Sequence, residues 1–355
     1  MKKKIFCILL GLMVLFFTSA CSCSGTVEYT FDSLWTKSLS ANYKEVCEYD
    51  VQYNDNYSLG GVTYAKSSFI TDDIAKINYT NGKYTTTTTI ITSAMYPSTL
   101  PKGDLLEDSQ IKQSTIIKQE IDFSITANLA LNGEEAKDYN DKIYSVTYFT
   151  MHDNGFAPLY SCYESKSTLL TVTESKADVL ISENKAEYVY NKKDYTAKIT
   201  ATLDEDTKEI EKTFDYTYKN LIDNNQLLFT LRNNIIQKDS IVSYNVNYMS
   251  YEGDKVGVNV KNLGELKLEC KYGTEQKDIT VNTNCYAFAI ASSQSGINQV
   301  AYYQAEDAKY KDDANSVAYA NRYHLVRYIE PLPVYGTYGL QGILEINLKN
   351  ITIQG

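Results

Sequence analysis

Few side chains in this chain are of the types that carry chemistry. The 355 residues include two histidines and seven cysteines. His152 sits in "TMHDNGFAP" next to Asp153, where a base could act, but the Asp-Asn-Gly turn reads as an exposed loop. His324, in "NRYHLVRY", is flanked by strand-like residues and is expected to be structural. Two histidines do not make a His-rich zinc or iron site, and no HExxH or CxxC occurs, so neither metal nor cofactor is expected. GxSxG, Walker and GxGxxG signatures are absent too. Ser109-Gln110-Ile111-Lys112 fits Ser-x-x-Lys without its companions, since Lys271-Tyr272-Gly273 has tyrosine where a Lys-Thr-Gly motif needs threonine. Paired carboxylates need no local motif. With 44 acidic residues, no pair is singled out, and no catalytic residue is assigned. Asp204, Glu205 and Asp206, or Asp312 and Asp313, offer calcium ligands but lack an EF-hand loop and read as solvated turns.

Tyrosine is the one compositional excess, 32 residues against a single tryptophan, Trp35. A ring with one apolar face and one hydroxyl suits glycan stacking and equally suits a half-buried strand, which is the preferred account. Two segments depart from regular patterning: 301–328, polar and charged, reads as a loop or lid, and "EPLPVYGTYGLQG" at 330–342 as an irregular connector. Loops on rigid sheets are where binding groups collect. The candidate ligand contacts are therefore Tyr302, Tyr303, Tyr310, Tyr319, Tyr335 and Tyr338, with Trp35 a core plug first and a contact second.

The N-terminus is the most specific signal. Lys2, Lys3 and Lys4 precede an apolar run, Ile5 to Phe17, that has signal-peptide length and is too short to span a bilayer. Thr18, Ser19 and Ala20 are small, and Cys21 follows. Thr18-Ser19-Ala20-Cys21 resembles the lipobox of bacterial lipoproteins, with Thr18 where an aliphatic residue is commonest. The resemblance implies cleavage after Ala20 and a diacylglycerol thioether on Cys21, with two acyl chains giving stable attachment. The competing assignments are an ordinary secreted protein and cleavage one step later at Cys23. Residues 1–20 would be the signal peptide and 21–30 a lipidated tether. The cell membrane, reached through the anchor on its extracytoplasmic side, is the expected partner.

Without residues 1–20 the chain keeps 335 residues, with 31 basic against 44 acidic. That balance argues against nucleic acid and against a basic lipid-headgroup patch. Abundant Asn, Lys, Ile and Tyr with scarce Arg, Pro and Trp reads as AT-rich codon usage and points to a Gram-positive envelope. Beyond Cys7, Cys21 and Cys23, four cysteines remain: Cys47, Cys162, Cys270 and Cys285. In an exported chain they are candidate disulfide partners with three pairings open, or else buried small hydrophobes.

The elements that must position these groups are mostly strands. "FDSLWTKSLSANYKE" (31–45) has helical spacing, and from Lys44 onward the period is two. Ile121, Phe123, Ile125, Ala127, Leu129 and Leu131 alternate with polar residues, as do Tyr195 to Leu203, Leu266 to Tyr272 and Leu344 to Leu348. Asn81-Gly82 predicts a two-residue hairpin turn, and the acidic turn at 204–207 another reversal. Thr85 to Thr89 read as strand, Thr86 and Thr88 sharing a face with Tyr84 and Ile90. A helix is predicted over 223–236 behind an Asp223/Asn224 cap, with Leu227, Leu228, Leu231 and Ile235 on one side, and "GEEAKDYND" suggests a further turn or two. The fold class expected is mainly β: a large twisted antiparallel sheet system or half-barrel with a few short helices. It forms a single large domain over 31–355, or two strand-rich halves at 44–220 and 240–353.

A long meander of amphipathic strands behind a lipobox, with an N-terminal and a mid-chain helix, resembles the LolA/LolB-like group of envelope proteins. The resemblance implies a curved sheet cupping a hydrophobic ligand beneath helices. Three readings follow. The first is a non-enzymatic anchored protein that binds an apolar or amphipathic ligand such as a lipid or lipid-linked glycan. The second is a surface interaction protein recognising glycan or protein through tyrosine-bearing loops. The third is a hydrolase with an unassigned acidic pair.

Overall fold

The computed structural model describes residues 41–108, 115–152, 155–173, 175–216, 221–232, 238–247, 255–274, 277–292, 298–305 and 323–354. The anchor at Cys21, the tether, Trp35, Tyr310, Tyr319, the acids at 312–313 and the predicted helix as far as Ser40 lie outside the described residues.

The molecule is built on one very large antiparallel sheet that does not close into a barrel. Its strands are β1 (Lys44–Asn54), β4 (Ala75–Ile91), β5 (Ile116–Leu131), β6 (Lys137–His152), β7 (Gly155–Val172), β8 (Ala177–Tyr190), β9 (Asp194–Leu203) and β10 (Asp206–Asp215) in the N-terminal part. The C-terminal part adds β11 (Ile222–Asp223), β12 (Ile241–Asn247), β13 (Lys255–Thr274), β14 (Lys277–Ser292), β15 (Asn298–Gln304), β16 (Leu325–Pro333) and β17 (Leu340–Gln354). A separate hairpin, β2 (Asn56–Leu59) and β3 (Val62–Ala65), makes a two-stranded sheet.

Strands β4 to β10 form one meander of consecutive neighbours, and β12 to β17 form another. They are joined through β1, which pairs with β4 on one side and β17 on the other. The first strand of the sequence is thus a central strand. The C-terminal meander curls until Gly273 and Thr274 of β13 pair with Asn350 and Ile351 of β17.

Alternation delivers what it promised. Ile125, Ala127 and Leu129 of β5, Tyr195, Ala197, Ile199 and Ala201 of β9, and Leu344, Ile346 and Leu348 of β17 are all buried. The tyrosine excess resolves into core. Tyr188, Tyr190 and Tyr195 are essentially inaccessible, with ring centroids 5.5 Å apart for Tyr190–Tyr195 and 4.9 Å for the Tyr195–Phe214 stack. Such pairs add to burial what a β-branched residue would not.

Three expectations need correction. Asn81-Gly82 is not a hairpin turn. β4 runs straight through it, and the register steps from Thr80↔Thr126 to Lys83↔Ser124, so two residues face Ile125 alone. Asn81 does take the positive φ of 55° that the dipeptide favours, but in a β-bulge. Glycine is required beside it, because a Cβ on Gly82 would lie 2.6 Å from that of Val51. The true hairpin is made by Asn132-Gly133, with φ of 53° and 77°, where a helical turn was expected at the start of "GEEAKDYND". Strand β6 begins at Lys137, after three irregular residues.

The third correction is the mid-chain helix. It shrinks to a 3-10 turn at Asn224–Gln226 and a single α-helical turn, α1 (Leu227–Thr230), with 233–237 outside the described residues. Asp223 caps it as anticipated, accepting from the Asn225 amide at 2.9 Å. A helix this short is not stable on its own. It is held by what it packs against. The reversal expected at 204–207 is present and is a two-residue turn, with Asp204 at φ 53° and its carboxylate accepting from the Ile181 amide.

Candidate functional site

Two places concentrate polar groups, one on each face of the sheet near β1. The inner one begins at Glu45. Within "KEVCEYDV" the alternation puts Glu45, Cys47, Tyr49 and Val51 on one face, so β1 points a carboxylate into the core. Glu45 is 2% exposed. Its Oε1 accepts from an Arg232 guanidinium nitrogen at 2.7 Å, and its Oε2 accepts from the other at 3.2 Å. Oε2 also meets the Tyr43 hydroxyl and His324 Nε2, both at 2.9 Å. Desolvation alone would raise the Glu45 pKa; Arg232 and His324 overcome it and hold the carboxyl well below the usual range. Burial pushes the neighbouring Cys47 thiol up.

The strand register extends this point into a line. Glu45 faces Thr88, Thr88 faces Gln119, Gln119 faces Thr147, Thr147 faces Ser161 and Ser161 faces Tyr188. All are buried. A polar row therefore crosses six strands on the inner side, and the segment 221–232 lies over it as a plug. Asp223 bonds Tyr190, Asn225 bonds Ser161 at 3.1 Å, and the Tyr303 hydroxyl donates to the Leu228 carbonyl at 2.6 Å. Phe229 packs edge-on against Phe149 and Phe156, with centroids 5.0 and 5.6 Å away. The fit is incomplete: Gln119 Oε1, both amide atoms of Gln226, Thr230 Oγ1 and the Tyr188 hydroxyl have no hydrogen-bond partner. Beside Gln119 lies a void of about 20 Å³, bordered by Cys47, Thr86, Thr88, Arg232 and His324.

Further along the inner face, Glu330 of β16 accepts from the Tyr328 hydroxyl at 2.6 Å and the Gln299 amide at 2.7 Å. Burial outweighs both bonds and raises its pKa to about 7. The folded state thus holds a proton that the unfolded chain releases at lower pH. Its contribution is fully present below the ordinary carboxylate pKa and is lost as pH rises through about 7. Glu330→Gln keeps a neutral hydrogen-bonding group there. The expected result is that the loss of stability between pH 5 and 7 flattens in chemical denaturation series, with the variant the more stable at pH 8.

The outer site is a trough of about 640 Å³ over β17, β1, β4, β5 and β6. Register puts Glu48 opposite Thr85, Asp50 opposite Lys83, Lys83 opposite Ser124, and Thr126 opposite Asn140. Asn81 and Gly82 are in its lining, so the trough lies over the bulge that bends β4. Its outward acids are engaged, Asp50 with Lys349 at 2.9 Å and Glu48 with Asn350 at 3.0 Å; Asp141, opposite Ile125 and so on the inner side, accepts from the Thr168 hydroxyl at 2.6 Å. Burial, only partly offset by Thr168 and Lys166, pushes the Asp141 carboxyl up.

The tyrosines singled out by sequence divide. Tyr302 and Tyr303 are not in a loop: they belong to β15, at 0% and 1% exposure, and Tyr302 accepts a bond from the Tyr57 hydroxyl at 2.9 Å. Tyr335 and Tyr338 do lie in the turn before β17 and are exposed. Cys47 and Cys162 carry free thiols, while Cys285 is buried on β14 and the Cys270 side chain is outside the described residues. His152 ends β6, and His324, buried, lies immediately before β16. Sequence reasoning passed over Glu45 and Arg232. The available signal was a charge on the apolar side of an alternating strand.

No protein-family model matches the chain, and no curated protein matches it. Among solved structures it is similar to a beta-barrel-like protein of the domain of unknown function DUF1849 from Brucella abortus. The TM-score is 0.44 and the identity 9%, over 89% of this chain and 100% of that one.

Proposed function

We propose that this is a lipid-anchored, extracytoplasmic binding protein that recognises a hydrophilic, hydroxyl-rich ligand such as a glycan in the outer trough. One observation carries the reading: a trough of about 640 Å³ whose lining register fixes carboxylate, amine, amide and hydroxyl groups on five paired strands. Donors and acceptors on a rigid sheet suit ligands with many hydroxyls, because little side-chain freedom is lost on binding. The apolar-ligand reading would use the inner face, and there Leu227, Phe229 and Leu231 of the plug are buried against the sheet. The hydrolase reading is weakened because the trough's outward carboxylates, Glu48 and Asp50, are each held by a neighbour.

The test is calorimetry of the soluble body against envelope glycan fragments, beside a Thr85→Arg variant that fills the trough floor. Binding by the wild type and at least about a tenfold loss in the variant, some 1.4 kcal/mol, is expected. Equal affinity in the two would rule the trough out.

Anchoring rests on Cys21. Metabolic labelling with an alkyne fatty acid should tag the wild-type chain and leave Cys21→Ala untagged and outside the membrane fraction. A labelled Cys21→Ala protein would move the anchor to Cys23.

A further inference from the structure

We propose that the void beneath the plug is a site for one soft monovalent d¹⁰ cation, of the copper(I) type, held by Cys47 and His324 with Gln119 as a weak third ligand. Glu45, Cys47 and His324 each offer a ligand atom, and these atoms lie within 4.8 Å of one another. A sulfur and an imidazole nitrogen bridged by one metal stand about 4 Å apart at ordinary bond lengths, so little movement is needed. Thiolate and imidazole are the pair that soft cations choose.

A second observation points the same way. Gln119 is 6% exposed and lines this void, and its Oε1 is an acceptor with no donor. A buried acceptor left this way is destabilising, and a cation or a donor in the void would remove that cost.

Charge decides the valence. Glu45 and Arg232 already neutralise one another through two hydrogen bonds. With the Cys47 thiol proton displaced to solvent and His324 neutral, a monovalent ion leaves the loaded site with no net charge. A divalent ion would add one uncompensated positive charge beside the Arg232 guanidinium, which a low-dielectric interior disfavours strongly. Glu45 is then no ligand. It keeps Arg232 and Tyr43, while His324 binds as the neutral imidazole, its one ring proton held on the nitrogen that does not face the metal.

This site is separate from the outer trough and stands whether or not that trough binds glycan. The experiment is anaerobic titration of the soluble body with copper(I) against a chromogenic chelator, followed by X-ray absorption at the copper edge. One equivalent is expected with a first shell of one sulfur and one or two light atoms. Cys47→Ser and His324→Phe should each abolish that equivalent, Cys162→Ser should keep it, and Gln119→Leu should weaken it about tenfold. Bound metal should also raise the wild-type melting temperature and leave that of Cys47→Ser unchanged.

A two-sulfur shell, an equivalent that survives Cys47→Ser, or equal affinity in His324→Phe would each overturn the site and leave only thiol capture. Should His324→Phe fail to fold, the wild-type absorption spectrum and Gln119→Leu decide. No bound metal at all in the wild type would assign the void to water.

Discussion

Arg232→Ala lowers the stability of the folded protein by about 3–5 kcal/mol, the largest single effect expected for a charged residue in this chain. The loss does not measure what the ion pair contributes. It measures what remains: Glu45, 2% exposed, keeps only Tyr43 and His324 against a desolvation penalty that Arg232 had offset. Urea denaturation should show the midpoint falling with little change in slope. The pH dependence supplies a second reading. In the wild type, Glu45 is held below the usual carboxylate range, so its contribution is present above that range and lost as pH falls through the depressed value. Without Arg232 the main force holding it down is gone, and Glu45 takes up a proton at higher pH. The gap between variant and wild type should therefore narrow as pH falls. The double variant Glu45→Leu/Arg232→Met should recover most of the loss, since well-packed apolar groups often replace a buried pair at no cost. A double variant as unstable as the single one would show that the pair sets the geometry of the plug rather than merely surviving burial there.

Phe229→Ala is the second large effect, at about 3–5 kcal/mol by transfer and cavity terms together. Phe229 is 1% exposed and sits between Phe149 and Phe156, with the Arg232 guanidinium 5.6 Å from its ring centre. It is the aromatic peg of a plug that buries Leu227 and Leu231 together with the polar Asp223, Gln226 and Thr230. Orphaned groups such as the Gln226 amide weaken the seam, so ring contacts must do much of the holding. Amide exchange should then rise first over 221–232 and on the facing Phe149 strand, ahead of β17 and its neighbours. Uniform exchange across the sheet would instead make the plug part of one cooperative unit with the strands.

Two Asn-Gly pairs show how far local chemistry reaches. Asn81-Gly82 and Asn132-Gly133 offer the same backbone freedom, yet the first makes a bulge inside β4 and the second the β5–β6 turn. Positive φ is a property of the dipeptide. Whether the chain reverses there depends on the partner: β5 pairs with β4 on both sides of the bulge, and Val51 packs against Gly82. The helix at 223–236 failed for a related reason. Leucine spacing and a good cap suggested several turns, but the segment is short, so packing and not propensity set its length. Tyr302 and Tyr303 misled because adjacent tyrosines in a polar context look like loop, whereas both faces of β15 are covered.

The sequence by itself determined the alternating strands, the inward faces of β5, β9 and β17 and the cap at Asp223, because each rests on residues within a few positions of one another. Only the tertiary structure decided that β1 lies at the centre of the sheet, and that decision made the sites. Register aligned Thr88, Gln119, Thr147 and Ser161 with Glu45 into one buried row, and folding brought Arg232 and His324 to it from 187 and 279 residues away. No local pattern encodes such an alignment. A strand's period fixes which face a side chain takes, and only pairing fixes which neighbour it meets.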